Sequence, residues 1–162
     1  MINFYLPSLK LLHYILISTF LGGQFYYLLI LQPASYDFFS KNEQIRFLQN
    51  VLKKQNPVLL LVLCLVVLTG GFMITPLKSA LGANYYSGFG AKLLWKLLFF
   101  FMVFFVTAYQ TLAVGFRIRF LSPEGMQADL GKHLNQVRTL MTVTSILNIA
   151  IMSWILYYVL IR

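Results

Sequence analysis

Four stretches of this chain carry no Asp, Glu, Lys or Arg: Leu11–Leu31, Pro57–Thr75, Leu97–Phe116 and Thr139–Ile161. Each matches the ~20 residues that a helix needs to cross a ~30 Å hydrocarbon core. A membrane barrel instead needs about ten-residue alternating segments, at least eight of them, and no such pattern is present. Only 10% of the residues are charged and 59% are hydrophobic, whereas a soluble domain carries about 25% charged residues. There is too little polar surface to face water, so the apolar surplus faces lipid. The expected fold is all-α, an integral membrane four-helix bundle with spans at 8–31, 57–76, 91–116 and 138–161. At 162 residues the chain makes a single transmembrane domain, 1–162.

The first span reads as retained. Its apolar stretch is too long for a signal-peptide core, and no small-x-small cleavage site follows it. Cys64 sits alone among apolar neighbours, is unable to form an internal disulfide, and reads as a small core residue.

Lys and Arg set the orientation. Lys41, Arg46, Lys53, Lys54, Arg117, Arg119, Lys132 and Arg138 flank or lie in the loops after spans one and three; Lys10, Lys78, Lys92, Lys96 and Arg162 lie on the other side. The positive-inside rule places the richer side in the cytoplasm, with both termini outside, in a bacterial inner (cytoplasmic) membrane. The net charge of +9 then reflects topology and anionic headgroups. No basic–aromatic repeat supports nucleic-acid binding. The cytoplasmic loop at 33–56 mixes Phe38, Phe39, Ile45, Phe47, Leu48, Val51 and Leu52 with charges at helical spacing. That pattern suggests an amphipathic helix on the membrane surface, ending where Pro57 opens span two.

Polar residues inside spans are the functional candidates, because each costs free energy unless it is paired or used. In span one His13, Ile17, Phe20 and Gln24 share one helix face. Span two ends Thr69-Gly70-Gly71-Phe72-Met73. Span three opens with Lys92 and Lys96 and carries Gln110; span four contains Asn148, flanked at helical spacing by Met141, Ser145 and Met152. His13, Met73 and Lys96 fall near the outer ends of their spans, and His133 lies in a cytoplasmic loop. Each has a plain reading as well. The lysines reach for headgroups, Gln24, Gln110 and Asn148 bridge helices, and the glycine pairs Gly22–Gly23 and Gly70–Gly71 allow close helix approach or make room for a flat cofactor.

His13, Phe20, Gly22, Gly23 and Phe25, with Pro33–Ala34 at the exit of span one, form a pattern that resembles the copper-resistance D (CopD) membrane family and the HemJ-type protoporphyrinogen oxidases. There a His is followed by an aromatic, usually Trp, then Gly-Gly or Ala-Gly. Thr69–Gly70 and the Tyr86…Gly90…Leu94…Lys96–Leu97 run fit the CopD-like pattern, and Asn135–Met141 resembles the HemJ-type opening of the last span. The chain departs from these patterns at Phe20 for Trp, Gln110 for His, and Gln136 and Arg138 for Glu and Pro.

The resemblance implies haem b held by His13, with Lys96 as catalytic or propionate-binding cation; Met73 is a candidate second ligand at similar depth, and Gly23 would line the cofactor. It implies redox or haem-biosynthesis chemistry on a porphyrin, with a quinone, a respiratory partner or a second copy of the chain as associates. The alternative is copper handling, or an accessory membrane role without catalysis. Scattered methionines (Met73, Met102, Met141, Met152) count against copper transport, for which clustered thioethers are expected.

Overall fold

The computed structural model describes residues 2–37, 40–82, 90–114 and 130–160. Among them every regular element is helical: α1 Ile2–Tyr26, a π turn Tyr27–Leu31, α2 Gln32–Asp37, α3 Lys41–Leu81, α4 Gly90–Tyr109, a second π turn Gln110–Val114, and α5 Leu130–Leu160. Four of these runs are long and apolar enough to cross a membrane, at Tyr5–Tyr36, Glu43–Pro76, Leu93–Leu112 and Leu134–Tyr157. The protein is an all-α, multi-pass membrane four-helix bundle. Leu29, Leu94, Phe105 and Leu112 are among its most exposed side chains, as a lipid-facing surface requires.

α1 packs chiefly on α3 and α4 chiefly on α5, while α1–α5 and α3–α4 contacts close the ring. α1 and α4 therefore stand on a diagonal. Pro33 does not end the first helix. Its missing N–H and its ring would disrupt the turn before it, and the π turn absorbs this, with the Gln32 N–H reaching back to the Tyr27 carbonyl.

Pro57 is likewise no boundary. α3 runs unbroken for 41 residues, about 60 Å, through both Pro57 and Pro76. Ser40 opens it, its N–H and Oγ donating to the Glu43 carboxylate at 2.8 and 2.7 Å. Gly82 closes it at φ 53°, where a side chain would be strained, and its N–H donates to the Lys78 carbonyl at 3.1 Å. The segment expected to lie on the membrane surface thus continues the second span. Ile45, Leu48 and Leu52 are buried against Tyr27, Leu134, Val137 and Met141.

Two hydrogen bonds set the heights of the helices. Gln55 Nε2 donates to the Gly23 carbonyl at 3.0 Å, and Asn56 Nδ2 to the Gln110 carbonyl at 3.4 Å. Gly23 lies well inside its run, and Gln55 and Asn56 lie inside the run Glu43–Pro76. Lys53 and Lys54 are exposed on the same helix. Cys64 is also exposed, on the lipid-facing side of α3, and is not the core residue expected.

Candidate functional site

One polar site is built where α1 meets α3, toward the end of the bundle that the charge count expects to face outward. His13 Nδ1 and Thr69 Oγ1 are 2.7 Å apart. Thr69 Oγ1 also lies 2.9 Å from the Leu65 carbonyl and 3.1 Å from that of Val66. A hydroxyl has one proton, and those carbonyls can only accept. With that proton on its own helix, the threonine accepts from Nδ1–H and the Nε2 lone pair is left free, which is the arrangement of a metal-ligating histidine steadied by an outer partner; in the other tautomer the threonine donates to Nδ1. Gly70 leaves space for the ring, since a Cβ there would stand 3.4 Å from His13 Cε1.

The other expected site residues are distributed differently. Met73 is partly buried one turn outward from Thr69 on the same helix. Gly23 is a contact between helices: a Cβ there would stand 2.7 Å from Leu59 Cδ2, so leucine already fills the space proposed for a cofactor. Gly22 and Gly71 face open space. Lys96 is partly buried and lines a groove of about 260 Å³ with Trp95, Phe99, Trp154 and Ile155, between α4 and α5. It is thus seated at a different helix interface from His13. His133 falls in the first turn of α5 rather than in a loop; its side chain, that of Lys92, and Tyr86 lie outside the described residues.

Two polar constellations go beyond the expected site. Gln24, Asn56, Thr107, Gln110, Ser145 and Asn148 are all buried, and they come from all four long helices. Asn148 Nδ2 donates to Thr107 Oγ1 at 3.1 Å, which puts α4 and α5 in the same inner layer as Gln55 and Asn56. Both amide atoms of Gln24, the amide oxygens of Gln55, Asn56, Gln110 and Asn148, and Ser145 Oγ have no hydrogen-bond partner among the described residues. The π turn starting at Gln110 lies in this layer. Nearer the inner face, Arg138 is buried, with 4% of its surface exposed. Its Nη2 donates to Ser35 Oγ at 3.1 Å and to Gln44 Oε1 at 2.9 Å, and its guanidinium lies 3.7 Å from the Tyr36 ring centroid. Sequence reasoning took Gln24, Gln110 and Asn148 as bridges but assigned Gln55 and Asn56 to a loop and counted Arg138 as a loop cation. The available signal was Arg138's register, beside Val137 and one turn from Met141 on the apolar face of α5.

No known protein family, curated protein or solved structure matches the chain. What it shares with other proteins is therefore carried by its architecture and by these side chains.

Proposed function

We propose that this chain is a haem-binding redox protein of a bacterial inner membrane, with His13 Nε2 as an axial ligand. One observation carries the reading: the 2.7 Å contact between His13 Nδ1 and Thr69 Oγ1 fixes the imidazole and, in the Nδ1–H tautomer, leaves Nε2 to ligate. Neutral imidazole is a good iron ligand, and a bound haem supplies one-electron chemistry. Thr69 orients the ring, Gly70 gives it clearance, and Met73 is the candidate second ligand one turn outward. Gly23 has no part in holding the group, because Leu59 occupies its face. Lys96 serves the outer end of the α4–α5 groove as a cation for anionic groups. The resemblance to HemJ-type proteins extends the proposal to protoporphyrinogen oxidation, with a quinone or respiratory partner taking the electrons.

The purified protein is expected to show a Soret band that His13→Ala removes and His133→Ala leaves in place. Colourless protein from haem-replete cells defeats the reading; copper bound without a Soret band replaces it with metal handling. Oxidase activity is tested by rescue of a strain lacking its own protoporphyrinogen oxidase, with rescue lost in His13→Ala. Both termini are proposed to lie outside the cytoplasm. Reporters fused after Arg162 should then be active in the periplasm, and reporters fused near Lys53 should be active in the cytoplasm.

A further inference from the structure

Arg138 presents an electrostatic problem that the described residues leave unsolved. A guanidinium removed from water needs an opposite charge or a full set of acceptors. Here it has two neutral acceptors, Ser35 Oγ and Gln44 Oε1, both taken by Nη2, and the face of Tyr36. Nε is buried without a partner among the described residues. The hydroxyl of Tyr27, a buried donor close enough to feel the Arg138 charge, has no partner either. Among the described residues the shortfall is therefore in an acceptor for Nε and in negative charge.

The position narrows what can supply them. Arg138 opens the fourth apolar stretch, and it and its partners Ser35 and Gln44 each lie within about one turn of the same end of the runs Leu134–Tyr157, Tyr5–Tyr36 and Glu43–Pro76. The guanidinium therefore stands at the inner headgroup level. Tyr36 is 51% exposed, so the constellation borders the surface. Arg46 and Lys132 are exposed on neighbouring turns and add attraction for anions. Ser35 and Gln44 hold the guanidinium plane through Nη2, leaving Nε–H as the buried donor still to be matched by an oxyanion.

We propose that Arg138 is a binding site for a single phosphate-class anion at the inner membrane face. The anion is either the headgroup of an acidic phospholipid or free inorganic phosphate. The site is independent of the haem reading and lies at the opposite end of the bundle from His13.

The full chain is reconstituted in nanodiscs of phosphatidylcholine, alone or with phosphatidylglycerol, and retained lipids are counted by native mass spectrometry. One phosphatidylglycerol should be retained at about fivefold or greater enrichment, the order expected for one charge at the membrane surface. Its presence should raise the melting temperature, and Arg138→Gln should lose both effects. If inorganic phosphate in pure phosphatidylcholine discs reproduces the shift, the anion is the soluble one. Arg138→Lys, which keeps the charge but not the Nε–H donor, should retain the lipid more weakly. Should Arg138→Gln fail to fold, the lipid count on the unmodified chain still decides. Lipid retention and melting that ignore headgroup charge and phosphate overturn the proposal. So does an Asp37→Asn chain that loses stability as Arg138→Gln does, because the counter-charge is then internal.

Discussion

Phe20 and Gln24 lie one turn apart on the same face of α1, and both are completely buried. Around Phe20 the bundle is dry: Leu59, Val62, Leu63, Val103 and Met152 close on it from α3, α4 and α5. Just outward, His13 and Thr69 complete each other's hydrogen bonds. Around Gln24 the same four helices place amides and hydroxyls that remain incomplete. Equal burial thus has opposite energetic meaning. Each apolar group in the outer half gains packing, whereas an unpartnered buried polar group costs about 1–3 kcal/mol. The outer half explains why the bundle holds together. The inner half, kept at a cost, offers unpartnered polar atoms to water.

The largest expected effect tests the dry half. Phe20→Ala should destabilise the bundle by about 3–5 kcal/mol, since it opens a cavity that four helices cannot collapse. Unfolding in mixed micelles measures this. Gly23→Val comes next, at about 1–3 kcal/mol, because its branched side chain overlaps Leu59 where even a Cβ is too close. Leu59→Ala should recover part of that loss, and an unchanged loss in the double variant would dissociate Gly23 from this contact.

Gln24→Leu is the counterpart of Phe20→Ala, and its sign matters more than its size. Leucine there removes two orphaned polar atoms at similar volume, so stability should rise by up to about 1–2 kcal/mol. A loss as large as that of Phe20→Ala would mean that the amide layer is already satisfied, and the contrast between the halves would disappear.

The faces of α1 and α5 were legible in the sequence because helical periodicity aligned His13, Phe20 and Gln24 and set Met141, Ser145, Asn148 and Met152 on one face; all of these but the partly buried His13 are fully buried. The surroundings of Pro57 and Arg138 were less so. Pro57 marks a boundary only by a local rule, and the continuous α3 overrides it, drawing Gln55 and Asn56 into the membrane. A loop charge count treats Arg138 like Lys132, because counting does not see which helix face a residue occupies. Cys64 misled for the opposite reason: in lipid, apolar neighbours surround exposed and buried positions alike. The relay through Thr69 depends on helix register between α1 and α3, which neither segment encodes alone.

The smallest expected effect separates the two uses of a glycine pair. Gly70→Ala and Gly71→Ala both gain helix propensity, at most about 1 kcal/mol each in water-exposed helices. Gly71 faces open space, so its alanine has nothing to disturb. At Gly70 the new methyl meets His13 Cε1 at 3.4 Å, and the ring must give by a few tenths of an ångström or press on its bond to Thr69. The two variants should therefore differ by less than about 1 kcal/mol in stability, within the range of a single interhelical hydrogen bond in a membrane. They should differ clearly in the imidazole NMR resonances of His13, shifted in Gly70→Ala and unchanged in Gly71→Ala. Identical spectra would show that Gly70 does not make room for the histidine, leaving Thr69 alone to position the ring.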